Sequence, residues 1–371
     1  MALNYDAPIK VEELPSALAS TALAPATSQA ITALVEKKAV AAGGSASDAT
    51  VEAKLFTPTV TAGKIEVTKE AVGGTTTPAL LIVDAKSATA GTDVTVEFSA
   101  DILQGSSAVV LDTQANVKAT FDAVEAVIVS GSGDDVLTFT GNTNATVVAG
   151  DGNDTLTFSG GDNSITLGSG KNLVNLGSGN STVLAGTGND TIVVGTGNDT
   201  ISGGGGFDVV QFGGAKTGFT PSKVDGKLVV KSATSETTVS DVKYLSFAGG
   251  NSLVVASSEK EAGVMRLYKA VLGRDADQGG AEYWSNTAEA ASEVAMANAF
   301  IMASELNSSA VEADEAFVNL VYQNAFGRAA DADGLAYWVN DLANGQARAN
   351  VLVNIAGSQE AAVTIDNVFL L

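Results

Sequence analysis

Five aspartates, Asp135, Asp154, Asp190, Asp199 and Asp208, recur at one position of a nine-residue unit. Carboxylates at a fixed period, set among glycines, are oxygen donors for a hard divalent cation, with backbone carbonyls filling the shell. The unit runs in strict register from Gly150 to Val210, and Asp135 belongs to a further copy one residue out of step. Its fourth position is always glycine: Gly152, Gly161, Gly170, Gly179, Gly188, Gly197 and Gly206. Its eighth is always aliphatic: Leu156, Ile165, Val174, Val183, Ile192, Ile201 and Val210. Two such columns at a short fixed period predict a solenoid in which each unit makes one turn and one strand. The aliphatic points inward, and the glycines supply backbone angles that other residues resist.

The aspartate column is broken. The sixth position reads Asp154, Asn163, Asn172, Ser181, Asp190, Asp199, Asp208. Turns on one side lie two units apart, so Asp190 with Asp208 is the best complete pair. Asp135 with Asp154 is next, and Asp199 faces Ser181 as half a site. Gly186, Gly188, Gly204 and Gly206 shape the turns of the best pair. The first position is apolar in the same repeats (Ala149, Phe158, Leu167, Leu176, Ala185, Val194), two residues after the inward aliphatic. On a strand it points the same way, so each strand is expected to bury two apolar side chains. Asn-Asp-Thr sequences also favour Asx turns, and a purely turn-shaping role for the aspartates is the alternative.

These residues resemble the repeats-in-toxin (RTX) family. The closest copies are Gly150-Asp151-Gly152-Asn153-Asp154-Thr155-Leu156, Gly186-Thr187-Gly188-Asn189-Asp190-Thr191-Ile192, Gly195-Thr196-Gly197-Asn198-Asp199-Thr200-Ile201 and Gly204-Gly205-Gly206-Phe207-Asp208-Val209-Val210. The resemblance implies a mainly β chain built on a right-handed parallel β-roll, a solenoid of nonapeptide repeats, with Ca2+ as its metal. It also implies export by a type I system and calcium-driven folding outside the cell.

Composition narrows the field. Among 371 residues there is no Cys and no His, which removes the common nucleophilic triads and zinc sites. The net charge of −22 makes nucleic acid a poor partner, and no apolar run is long enough for membrane insertion. The region from Ser130 to Phe212 holds eight Asp, one Lys, no Glu and no Arg, a surface awaiting a cation.

The other elements must position or cap this core. Residues 1–50 read as an Ala/Ser/Thr-rich arm with one helix from Ser28 to Ala42, capped by Thr27 or Ser28. Residues 51–129 alternate as strands and are expected as a β-domain or an N-terminal cap. Residues 130–212 are the roll and 213–257 a β cap, since solenoids need atypical ends. Residues 258–371 hold every Arg and both Trp and read as an all-α tandem-repeat domain. Its two halves share Gly-Arg-x-x-Asp-x-x-Gly-x-x-Tyr-Trp, from Gly273 and again from Gly327, 54 residues on. This pattern resembles the domain of unknown function 4214. Arg274 with Asp277 and Arg328 with Asp331 are expected to tie the loops, Gly280 and Gly334 to permit the turn, and the Tyr-Trp pairs to pack inside. The amino end lacks the basic start and apolar core of a cleaved signal. The acidic and apolar tail Ile365 to Leu371 resembles an uncleaved type I secretion signal.

The expected function is therefore a secreted structural protein, not an enzyme, at the bacterial cell surface. It would form a homo-oligomer or polymer through calcium-dependent contacts, as a layer, matrix or filament subunit. The alternatives are an adhesin binding a cell-surface glycan through Trp284, Trp338 or the first β region, and a glycosidase working through carboxylates alone.

Overall fold

The computed structural model describes residues 9–18, 25–41, 50–68, 71–72, 78–122, 125–142, 144–303 and 313–371. The chain forms two compact units. The first holds residues 1–213 and 229–241, the second 214–228 and 242–371.

The first unit is a stack of short parallel strands in two sheets. Each nonapeptide spends about six residues turning and three as a strand, so consecutive strands fall in opposite sheets. Neighbours within a sheet are therefore 18 residues apart. Leu156 pairs with Val174, Val174 with Ile192 and Ile192 with Val210 in one sheet; Ile165, Val183 and Ile201 do so in the other. All seven are buried between the sheets, as the inward column requires. The one-residue slip falls between the strands at 136–140 and 146–148, after the out-of-step copy, and leaves the pairing intact: Ile128 pairs with Val147 and Leu137 with Leu156.

In residues 51–129, expected as a domain or a cap, the strands from Ala53 to Val129 are built into the same two sheets. Ala53–Phe56, Leu80–Asp84, Ala108–Asp112 and Val127–Val129 pair in parallel in one. Lys64–Val67, Asp93–Phe98 and Asn116–Asp122 do so in the other. The segments between these strands differ in length, which hides the nine-residue period from the sequence. At the far end, Glu236–Ser240 pairs in parallel with Thr200–Ser202 and extends the roll beyond the last repeat.

The first-position side chains widen the core. Ala149, Phe158, Leu167, Leu176 and Ala185 are buried as expected, whereas Val194 is half-buried. Towards the amino end this column becomes aromatic. Phe121, Phe139 and Phe158 lie in register and stack, with centroids 5.0 and 4.6 Å apart, and Phe98 lies tilted on Phe121 at 5.5 Å.

The amino-terminal helix runs from Pro25 to Ala41 and starts on a proline, which loses nothing at a position whose N–H has no helical partner. Ser28 lies inside the helix rather than capping it. Leu14, Leu18, Ile31 and Val35 pack on Leu80, Ile82, Ala108, Val110, Val127 and Val129. Those strands alternate sides, so their second apolar column needs this cover. Thr27 belongs to the helix, but its side chain lies outside the described residues.

The second unit has seven α-helices among its described residues: Glu259–Leu272, Gln278–Ala290, Glu293–Met302, Asp314–Phe326, Ala332–Ala343, Arg348–Ala356 and Gln359–Thr364. The tail forms a strand, Val368–Leu370, parallel to Ser252–Ala256, which pairs antiparallel with Tyr244–Ala248. The two Gly-Arg loops are alike, and the expected pairs of Arg274 with Asp277 and Arg328 with Asp331 form, but the glycines and the Tyr-Trp pairs differ from the expectation. Gly273 and Gly327 take the left-handed conformation (φ 65° and 69°) and end their helices. Asp277 and Asp331 cap the next helices, each accepting a 2.8 Å hydrogen bond from Gly280 or Gly334. Gly280 and Gly334 are thus helical, and a β-carbon on either would press on Tyr268 or Tyr322. Arg274 and Arg328 lie over those same tyrosine rings and 3.2 and 3.8 Å from Asp277 and Asp331. Tyr283 and Tyr337 are 62% and 63% exposed, so the Tyr-Trp pairs do not pack wholly inside; Trp284 and Trp338 are half-buried. Replacing Asp331 with Ala should cost roughly 1 kcal/mol of the second unit's stability, the usual worth of such a cap. Chemical denaturation of the variant would show it, and an unchanged midpoint would contradict the cap assignment.

Candidate metal centre

The sixth-position side chains form two buried ladders, one along each edge of the roll. In the first, each Oδ1 accepts the backbone N–H at the sixth position one turn earlier. Asp154 takes Asp135 N–H at 2.9 Å, Asn172 takes Asp154 at 2.9 Å, Asp190 takes Asn172 at 2.8 Å and Asp208 takes Asp190 at 2.8 Å. Asp135 accepts from Val117 at 2.7 Å, so the ladder begins before the repeats. The second ladder is Asn163, Ser181 and Asp199, with Asp199 accepting from Ser181 at 2.9 Å. The structure thus brings Asp190 beside Asp208 and Asp135 beside Asp154, and sets Asp199 beside Ser181.

The glycines make this closeness possible. Gly186, Gly188, Gly204 and Gly206 have φ of 94°, 130°, 94° and 126°. A β-carbon on any of them would overlap a carbonyl of the preceding turn, that of Gly168, Gly170, Gly186 or Gly188.

All five aspartates are at most 1% exposed, and each keeps its Oδ2 buried with no hydrogen-bond partner. Burial of a carboxylate without compensation raises its pKa. Burial pushes Asp154 up to about 8 and Asp135 and Asp208 up to about 6, and it raises Asp190 and Asp199 as well. The neighbouring Asp135 charge adds to the effect at Asp154, as does Asp190 at Asp208.

A family model described as the RTX calcium-binding nonapeptide repeat matches residues 139–174, 148–183 and 175–210. The chain carries RTX calcium-binding repeats. A second model, domain of unknown function DUF4214, matches residues 297–365, which include the later Gly-Arg loop. No curated protein and no solved structure matches the chain.

The RTX ladder contains its own test of whether a cation suits it. Asn163 holds the same place as the aspartates, and its Nδ2 donates to the carbonyls of Gly160 and Gly161 at 3.1 and 2.9 Å. An amide there satisfies its turn from within. A carboxylate there has no proton to donate, and its second oxygen is left without a partner. Within the two ladders the buried atoms without a partner are the Oδ2 of the five aspartates and the Nδ2 of Asn172. Among the described residues no three acidic side chains gather to hold an ion alone. Donors come as single carboxylates from successive turns with carbonyls between them, a set that suits calcium.

Sequence reading missed a further pair of ladders at the mostly exposed fifth position, one along each edge. Asn153 Oδ1 accepts Lys171 N–H at 2.8 Å, Asn180 accepts Asn198 at 2.8 Å and Asn189 accepts Phe207 at 2.9 Å. Here each side chain reaches the following turn, while its sixth-position neighbour reaches the preceding one. An Asn-Asp pair therefore ties its turn in both directions. The signal was present: the fifth position is Asn or Asp in five of the seven repeats in register.

Proposed function

We propose that this is a secreted, calcium-folded solenoid that serves as a structural subunit at the bacterial cell surface. The observation that carries the calcium part is the row of buried carboxyl oxygens without partners. Asp190, Asp208, Asp135, Asp154 and Asp199 would hold the ions, and Gly186, Gly188, Gly204 and Gly206 would let the turns close around them. Calcium supplies positive charge that buried carboxylates otherwise lack, so its binding energy becomes folding energy. In a calcium-poor interior the like charges oppose folding, and at the millimolar calcium of an extracellular setting the roll closes. That order suits a chain exported unfolded. Among the described residues no helix is long and apolar enough to cross a membrane.

The structural role rests on the stiffness of the stack. Two apolar columns fill most strands, and the conspicuous carboxylates are committed to turn ladders rather than to an open cleft. The absence of His and Cys removes the usual hydrolytic machinery. Electron microscopy of the purified chain should show ordered assemblies with millimolar calcium and dispersed particles in chelator. Dispersed particles in both would refute self-assembly. A second reading, calcium-dependent glycan binding, draws support from the exposed Tyr283 and Tyr337 rings, each edge-to-face with a tryptophan at about 5 Å. Binding of a glycan array by monomers would favour it over assembly.

A further inference from the structure

The last repeat poses a question that the periodic sites do not answer. Asp208 is fully buried, and its Oδ1 is taken by the Asp190 N–H of the turn before. Its Oδ2 has no hydrogen-bond partner, and no nonapeptide follows to supply one. The next layer of the roll is instead the non-repeat strand Glu236–Ser240, paired so that Ser202 lies opposite Ser240. The residue after that strand is Asp241.

Gly203 stands between the two aspartates. It is the first residue of the turn that ends at Asp208. In the other repeats this position holds Ala149, Phe158, Leu167, Leu176, Ala185 or Val194. Only here is it glycine. A β-carbon on Gly203 would lie 2.5 Å from Asp208 Oδ2 and closer still to the carbonyl oxygen of Asp241. Those two oxygens therefore converge on one small space that any side chain at 203 would fill. Oxygens that near each other can share an ion whose bonds to oxygen are ~2.3–2.6 Å long. Asp241 is exposed and has a left-handed backbone (φ 53°), a conformation Asp tolerates better than most residues. Its carboxylate lies over the same layer, where Oδ2 accepts a 3.2 Å hydrogen bond from Ser202 Oγ.

We infer that Asp208 and Asp241, with the Asp241 carbonyl, form a terminal calcium site that closes the roll after its last repeat. Asp241 supplies from outside the nonapeptides the second carboxylate that a following repeat would have given. The site joins the strand at 236–240 to the repeat stack, so an ion there fastens the carboxyl end of the solenoid. Gly203 keeps the space open.

This inference rests on the calcium reading of the ladder, and its test separates the two. Calcium alone is titrated into the full chain by calorimetry, and bound ions are counted by native mass spectrometry. Asp241→Asn keeps the acceptor for Ser202 and tolerates the left-handed backbone but removes the charge. It should bind one ion fewer than the wild type, or bind that ion roughly tenfold or more weakly for want of one carboxylate. Its melting in chelator should be unchanged, which a merely structural role for Asp241 would not predict. Asp241→Gly, which fits the same backbone, should behave alike and serves if the first variant misfolds. Wild-type stoichiometry and affinity in these variants would overturn the terminal site. Asp190→Asn is the control: if it loses an ion and Asp241→Asn does not, only the terminal site fails. If the wild type itself binds no calcium, the reading beneath it fails too.

Discussion

Adding a calcium chelator should lower the melting temperature of the roll by roughly 10–20 °C at pH 8. Each ion bound at ~100 times its Kd contributes about 2.7 kcal/mol to the folded state. Two or more such ions in a unit of this size give a shift of that order, at about 2–4 °C per kcal/mol. The pH dependence sharpens the test. In the folded roll without metal, Asp154 titrates at about 8 and Asp135 and Asp208 at about 6, all raised chiefly by burial. In the unfolded chain they titrate near ~3.9. The folded form therefore holds protons that the unfolded form releases. Metal-free stability is greatest in acid and falls as pH rises from about 4 to about 8. Calcium needs the deprotonated carboxylates, so its contribution runs the other way and is largest at the top of that range. Calorimetry at pH 5 and pH 8, with calcium and with chelator, separates the two trends. Identical melting with and without metal would refute calcium-driven folding. A metal-free roll more stable at pH 8 than at pH 5 would show that the buried aspartates do not govern it.

Phe139→Ala should destabilise the roll by roughly 3–5 kcal/mol, the usual cost of emptying a buried aromatic site. Phe139 is stacked between Phe121 and Phe158, at centroid distances of 5.0 and 4.6 Å and with rings within 15° of parallel. Its loss removes contacts on both sides at once. The strands at 116–122 and 155–158 are pinned by their own ladders and cannot collapse into the gap. Thr157, on the outer face of the same sheet, is the control, and Thr157→Ala should stay within about 0.5 kcal/mol. Denaturant titration in saturating calcium compares them. A loss under about 1 kcal/mol at Phe139 would mean that the aromatic column is not a core.

The nonapeptide register foretold the spacing of Leu156, Val174, Ile192 and Val210, their burial and the side of the roll on which each aspartate lies. Those features follow from local arithmetic. A six-residue turn and a three-residue strand repeat every nine, and every second strand meets. The same arithmetic failed where the turns lengthen. Residues 51–129 carry strand patterns but no fixed period, so their place in the same sheets is set by pairing across tens of residues. The amino-terminal helix showed its periodicity but not its seat, because the face it covers is assembled from strands distributed between Ala53 and Val129. In the helical unit the paired motif and its Arg-Asp ties were legible, while the capping work of the aspartates was not. Asp277 and Asp331 cap helices because the chain reverses at Gly273 and Gly327, which a linear motif does not reveal.

The sequence by itself determined the column of aspartates, the places where it breaks and the cation chemistry of oxygen donors in series. The tertiary structure alone decided which oxygen of each carboxylate is used. One bonds the turn before; the other is sealed from water without a partner, and Asn163 satisfies the same place with its amide. It also decided that Asp241, far from the repeats in sequence, stands beside Asp208. Which atoms meet depends on how the turns stack, and stacking is set only when distant strands pair.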